Sequence, residues 1–241
     1  MLLFVYVLTF AVFVLLFTRE VIAPASGASC DKRWRIYAGA LNALNVTVVV
    51  AAGLIFPATI AQISLVELHR YVGIFGQSAI IFLTASFFAY WWHRATHASD
   101  TIWRMVHQLH HSPSRVEALT AFYLHPLDSF LAAMLNALIA YALLGASPWA
   151  AGLALLYVSI FNLVAHADMR TPWWLGFVTQ RPEMHRLHHQ RGVHRWNYGL
   201  PLWDLMFGTW RNPKSTTVEC GFAPENEFRV REMLLMKSVE E

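Results

Sequence analysis

The chain has 241 residues, 56% of them hydrophobic and 14% charged, with a formal net charge of +3. A water-soluble domain carries nearer a quarter charged residues, so the composition excludes an ordinary soluble enzyme, and no nucleic-acid partner is expected. Two cysteines, Cys30 and Cys220, are too few for a disulfide framework or a cysteine-only metal site and are read as free thiols.

The apolar surplus is concentrated in runs. Residues 36–66, 71–93 and 129–165 contain no Asp, Glu, Lys or Arg. Roughly 20 apolar residues in a helix cross about 30 Å of hydrocarbon. Each run is long enough to span, and 129–165 is long enough to cross twice. At the N-terminus, "MLLFVYVLTFAVFVLLFTRE" has no Lys or Arg before its apolar core, whereas a secretory signal has a basic start. It is therefore read as an uncleaved first span over 1–18, despite the small-residue stretch "ASGAS" at 25–29. Span two covers 36–64, with a kink expected at Pro57. After the turn "VELHR" (66–70), whose His69 is read as solvated, span three runs over 71–92 and ends in the interfacial aromatics "YWW". A polar excursion occupies 93–125. Spans four (126–144) and five (148–166) are joined by "GASP", in which Gly145 and Pro148 stop and restart a helix. Residues 167–241 are mixed in character. The fold class expected is all-α: a polytopic membrane protein of about five transmembrane helices with a histidine-rich, metal-binding cytoplasmic cap.

Orientation is read from the basic residues. With five spans and the N-terminus outside, 17 of the 18 Lys and Arg fall on one side and Arg70 alone on the other. The short 19–35 connector carries four of them, which marks that side as cytoplasmic. All the histidine clusters lie on the same side.

Those clusters hold eight of the twelve histidines: His93 and His97 in "HRATH", His107, His110 and His111 in "HQLHH", and His185, His188 and His189 in "HRLHH". On a helix, positions i, i+3 and i+4 share a face, and neutral imidazole suits Zn, Cu, Fe and Ni. Eight such rings could hold two metal ions. A zinc protease would show H-E-x-x-H, and soluble di-iron bundles use inward carboxylates with Glu-x-x-His; these clusters have neither. A cytochrome b would set its axial histidines within the spans. A histidine-only site at the lipid surface points instead to oxygen activation on a membrane substrate. A histidine-rich transporter or sensor is the alternative of another class, but it should carry polar or ionisable groups at the midplane, and spans two to five have none with a charge.

The segments "HRATH", "HQLHH", "ALTAFYLHP", "AHAD", "MHRLHH" and "NYGLPLWDLMFGTW" together resemble the fatty acid hydroxylase / sterol desaturase superfamily, over roughly residues 75–215. The resemblance implies a non-haem di-iron centre, O2 as cosubstrate and attack on C–H bonds of lipids or sterols, with a lipid desaturase on the same scaffold as the alternative to a hydroxylase. It divides the chain into spans one and two (1–70) and a catalytic domain (71–241). The eight clustered histidines carry over as ligands, and His166 of "AHAD" resembles a further one. Some relatives have a histidine four residues before it where this chain has Asn162, and His125 of "LHP" is the candidate to compensate. His194, Asn197, Tyr198 and Asn162 are expected around the ligands. Asp168 and Asp204 could orient histidines by accepting their second N–H. The stretch "WDLMFGTW" is expected to cap the site. No G-x-G-x-x-G nucleotide fingerprint occurs, and "HPLD" at 125–128 is not the HPGG of a fused cytochrome b5. The electrons are therefore expected from an external donor of ferredoxin or cytochrome b5 type with its reductase.

Overall fold

The computed structural model describes residues 2–27, 32–60 and 64–239. Its helices are α1 (Leu2–Ile22), α2 (Lys32–Ile60), α3 (Ile74–Ala98), α4 (Asp100–Ile102), α5 (Gln108–His111), α6 (Pro126–Ala137), α7 (Pro148–His166), α8 (Pro182–His188), α9 (Pro201–Met206) and α10 (Val230–Leu234). Among the described residues there is no strand, only an isolated bridge between Gln190 and Cys220. Among the described residues five helices are long and apolar enough to cross a membrane: α1, α2, α3, α7, and α6 with the π-helical turn Leu138–Leu143 that extends it. Cys30 lies outside the described residues.

Helix ends follow local chemistry. α6 and α7 both start with proline at the first helical position, where no backbone N–H is needed. Ser147 caps α7 by accepting the Ala150 N–H. Gly145, at φ +51°, turns the chain between them, and a Cβ there would sit 2.3 Å from the Val66 carbonyl. Only glycine fits this approach, because residues 65–68 are hydrogen-bonded onto the end of the π turn. His69 adds a side-chain bond to the Gly145 carbonyl, 2.6 Å, at the end of the bundle away from the other clusters.

The helices pack chiefly as α3 on α7, α2 on α6 and α1 on α7. Their outward faces stay apolar and exposed, as with Leu3, Phe4 and Phe10 on α1, Leu54 on α2, and Phe75 and Phe88 on α3. Such faces are unstable in water and comfortable among acyl chains. A core cluster lies toward the histidine-bearing end, where Trp34, Leu109, Tyr123, Phe222 and Met233 pack together. Here the 93–125 excursion and the C-terminal region fold over one another: Phe222 donates to the Ser112 carbonyl, and Arg186 donates to the Val116 carbonyl.

Candidate metal centre

α3 runs six residues past the end predicted for span three, so "HRATH" remains on the spanning helix and both of its histidines face the same end of the bundle. The chain then turns through α4 and a π-helical turn, Trp103–His107, into α5. Such wide turns are frequent at functional sites because they re-aim the side chains that follow. α8 brings the third cluster in from the C-terminal region, anchored by Arg181. This arginine is fully buried and bonds Thr171, Asn212, the Pro213 carbonyl and Glu183.

Nine histidines meet in two groups among the described residues. His93, His97, His107, His111 and His188 form one, and His110, His166, His185 and His189 form the other, with the facing nitrogens in each within 4.8 Å of one another. Each H-x-x-H-H motif is split between the groups. The i,i+4 pair His107/His111 joins the first while His110 joins the second, and the pair His185/His189 joins the second while His188 joins the first. The stacked rings of His111 and His189, centroids 4.2 Å apart, form the seam between them.

The spacing fits a bound cation better than hydrogen bonding. In the first group His107 Nε2 lies 3.0 Å from His93 Nε2 and 3.1 Å from His111 Nε2. In the second, Nε2 separations are 3.2 Å for His110–His166, 2.8 Å for His166–His185 and 3.1 Å for His185–His189. Each imidazole nitrogen has a single in-plane lone pair or N–H, so His107, His166 and His185 cannot serve two neighbours at once. Metal–imidazole bonds of about 2.0–2.1 Å place adjacent ligand nitrogens about 2.8–3.4 Å apart, which is the spacing seen. Both ring nitrogens of His97 and Nε2 of His188 are buried with no hydrogen-bond partner among the described residues. Buried polar atoms are seldom left so. The residues fit a metal in each group.

Protonation agrees. Burial holds His107, His110, His111, His185, His188 and His189 below the ordinary imidazole pKa, so the rings are neutral and their lone pairs free to ligate. Backbone carbonyls set the tautomer, because a carbonyl can only accept. His93 Nδ1 donates to Tyr198 O at 2.6 Å, His188 Nδ1 to Trp196 O at 2.8 Å and His166 Nδ1 to Asn162 O at 2.8 Å. Each leaves Nε2 for the metal.

Several expectations from the sequence are corrected. His125 stands outside both groups: its Nδ1 caps α6 by accepting the Leu127 N–H, and its Nε2 bonds the Leu234 carbonyl. Asp168 accepts from no histidine. It binds Ser26 and Arg186, tying the first connector to α8. Asp204 also acts one step back, accepting the N–H groups of Tyr198 and Gly199 and the Thr209 hydroxyl. Asn162 contributes its carbonyl, while its side chain bonds Val158 O. His194 lies beside the first group, its ring stacked on His97 at 5.0 Å. Asn197, in the left-handed region at φ +57°, holds Met184 O and Arg211 N and so fixes the loop bearing the Trp196 and Tyr198 carbonyls. Cys220, read only as a free thiol, is buried. Two features had no sequence signal. Asp128 places a carboxylate oxygen 4.0 Å from His107 Nδ1. Glu20, buried on α1, receives the N–H groups of Ala118 and Asp168 and locks the first helix to the cap.

A cavity of about 270 Å³ reaches both groups. His93 and His107 of the first and His110, His166 and His185 of the second line one end. Apolar residues of α3, α6 and α7, among them Phe82, Ala133, Leu155 and Phe161, line much of the rest, with polar residues such as Asp128, Asn136 and Gln180 between them.

Comparison with known proteins agrees with this geometry. The family model for fatty acid hydroxylase matches residues 78–209. A sphingolipid C4-hydroxylase of Schizosaccharomyces pombe is 29% identical over 133 residues, which are 53% of this chain and 45% of that protein. An ornithine lipid hydroxylase of Rhizobium tropici is 37% identical over 137 residues, 54% of this chain and 40% of its own length. A sphinganine C4-monooxygenase of Arabidopsis thaliana is 26% identical over 161 residues, 64% of this chain and 59% of its own. The chain thus spans about half the length of these curated relatives. No solved structure matches.

Proposed function

The chain belongs to the fatty acid hydroxylase family, and we infer that it is an integral-membrane, iron-dependent oxygenase that hydroxylates a C–H bond of a membrane lipid with O2. The observation that carries this reading is the pair of imidazole groups at ligand spacing, both opening on one apolar cavity between spanning helices. Two of the relatives, a sphingolipid hydroxylase and an ornithine lipid hydroxylase, agree with that substrate class.

On this reading one iron ion is held by His93, His97, His107, His111 and His188 and a second by His110, His166, His185 and His189. Bound there, iron supplies activation of O2 and removal of hydrogen from an unactivated C–H bond. The protein supplies the rest. The carbonyls of Tyr198, Trp196 and Asn162 hold three of the rings in their ligating tautomer. The apolar walls of α3, α6 and α7 exclude water and align a hydrocarbon chain toward the histidines, and such alignment is worth orders of magnitude in rate. Asp128, beside His107 Nδ1, is the nearest carboxylate to receive its N–H. Residues 71–241 carry all nine histidines, and the helices of 1–70 close the bundle around them.

The 17-to-1 distribution of Lys and Arg supports a cytoplasmic site with the N-terminus on the other side. An external ferredoxin or cytochrome b5 type donor, steered by this basic face, supplies two electrons per turnover. The test is turnover under heavy-oxygen O2 with product mass spectrometry. A hydroxylase leaves one labelled oxygen in the lipid. An unlabelled product two hydrogens lighter would make the enzyme a desaturase instead.

A further inference from the structure

Among the described residues, 167–239 hold no helix long enough to cross a membrane, yet two short elements there turn bulky apolar side chains outward. On the 3-10 turn Trp173–Phe177 and the residue after it these are Trp174, Phe177 and Val178, and on α9 they are Leu202, Leu205 and Met206. Trp174 at 61% and Met206 at 62% are as exposed as Phe4 on the outward face of α1, at 56%. α9 packs against the turn and is two-faced. Residues 202, 205 and 206 share one side by their i, i+3, i+4 spacing, while Trp203, Asp204 and Phe207 share the other. Trp203 Nε1 donates to Ser86 Oγ at 2.9 Å, Asp204 takes the N–H groups of Tyr198 and Gly199, and Phe207 packs on Trp91 with ring centroids 4.9 Å apart.

A cluster of large apolar side chains on the surface marks a contact, and two features name the partner. The first is continuity. Ser86 and Trp91 belong to the part of α3 just before His93, where the aromatics Tyr90, Trp91 and Trp92 mark the edge of the hydrocarbon. Docked there, α9 extends the outward face of α3, on which Phe88 and Trp91 are exposed. The second is charge. Residues 169–180 contain no carboxylate, and residues 195–218 contain only Asp204, which is buried. The exposed charges beside the apolar side chains are Arg170, Arg211 and Lys214. The last two flank Asn212, whose backbone oxygen accepts the Trp173 Nε1–H at 3.1 Å. Tryptophan and aliphatic side chains bordered by Arg and Lys suit the boundary between acyl chains and anionic headgroups.

We propose that the turn Trp173–Phe177 and α9 form a platform that lies in the headgroup–acyl boundary of the bilayer that the five long helices cross. Trp174, Val178 and Met206 enter the edge of the hydrocarbon, and Arg170, Arg211 and Lys214 sit among anionic headgroups. The platform reaches the histidines through its inner face, because Asp204 holds the loop whose Tyr198 carbonyl takes His93 Nδ1. Contact with the membrane surface thereby sets the depth of the first histidine group. The proposal rests on the spanning helices and not on the hydroxylase reading, and it is measured without turnover.

The test places Trp174→Cys, Val178→Cys or Met206→Cys singly in the full-length Cys30→Ser protein, with Cys220 left in place because it is buried. All three positions are exposed, so the substitutions spare the core. Each cysteine carries an NBD fluorophore, and the protein is held one chain per nanodisc of phosphatidylcholine and phosphatidylglycerol. Quenching by doxyl-labelled phosphatidylcholine is compared with quenching by iodide in the water. Phe88→Cys on α3 is the lipid reference and Ser215→Cys the water reference. At 174, 178 and 206 the lipid quencher should exceed iodide, as at Phe88, and the order should invert at Ser215. Iodide dominating at all three positions, as at Ser215, would overturn the proposal. Protection from both quenchers would mean cover by protein, and protection appearing only with two chains per disc would assign the surface to a second copy; either outcome also overturns it. Iodide dominating at Phe88 would remove the spanning assignment and the platform with it, while leaving the metal centre to its own tests.

Discussion

Asp204 touches no histidine, yet its removal should loosen iron. The carboxylate is 0% exposed and accepts Tyr198 N–H at 2.9 Å and Gly199 N–H at 3.2 Å. It also accepts the Thr209 hydroxyl at 2.6 Å, but Thr209 keeps a second partner in Tyr90 Oη, 2.9 Å away. Asp204→Ala therefore strands two backbone N–H groups, at about 1–3 kcal/mol each, for a total of about 2–6 kcal/mol. Asp204→Asn keeps one acceptor and turns an NH2 toward the other donor, so it should lose about half as much. The segment released carries the Tyr198 carbonyl that fixes His93 Nδ1. Losing such an outer contact typically weakens metal binding by about 10- to 100-fold. The assay is iron retained against a chelator series, by elemental analysis, at a temperature below the unfolding of each variant. The order expected is wild type, then Asn, then Ala. An Asp204→Ala protein that is folded and holds iron as tightly as wild type would refute the chain from Asp204 through Tyr198 to His93.

His110→Ala and His188→Ala should each lose iron and activity together, whereas His125→Ala should keep its iron and lose about 1 kcal/mol of stability as a helix cap; iron loss in the His125 variant would return that residue to the ligands. His69→Ala, altering the opposite end of the bundle, should keep both iron and activity. Tyr71→Cys, on an exposed residue at that opposite end, should react with a membrane-impermeant thiol reagent on sealed cells, and Ser215→Cys only after permeabilisation. The reverse pattern would invert the proposed orientation. Cys220 is a poor reporter, since burial raises its thiol to about 11. The metal-free protein should lose stability as pH falls below the ordinary imidazole value of about 6.5. Its buried histidines have depressed pKa values, so the unfolded chain binds more protons and acid favours it. Asp204, pushed up to about 6 by burial, works in the opposite sense, its contribution being lost as pH rises through that value. Six depressed histidines outweigh it. A melting temperature that climbs from pH 7 to pH 5.5 would contradict this balance.

The spans were legible because a membrane imposes a one-dimensional rule. A helix needs an uncharged run of sufficient length, and residues 36–66, 71–93 and 129–165 satisfy it without reference to any neighbour. The helix-breaking pair Gly145 and Pro148 and the repeated i, i+4 histidines are local in the same sense. From them alone follow a helical bundle and a supply of imidazoles at one end. The division of each H-x-x-H-H motif between two groups is not local. It depends on the π-helical turn before α5 and on where Arg181 and Glu20 anchor α8 and α1 to the cap, and i, i+4 spacing reads the same whichever neighbour a ring meets. Nor does residue type reveal which carbonyl will face a ring nitrogen. Asp168 and Asp204 were reasonable partners for a histidine by chemistry, but Tyr198, Trp196 and Asn162 hold the rings through backbone oxygens that every residue possesses. His125 shows the converse: a residue type suited to a metal, placed at a helix start where its lone pair caps Leu127 instead. Identity supplied the ligand atoms, and only the packing of α3, α5, α7 and α8 against one another decided which of them meet.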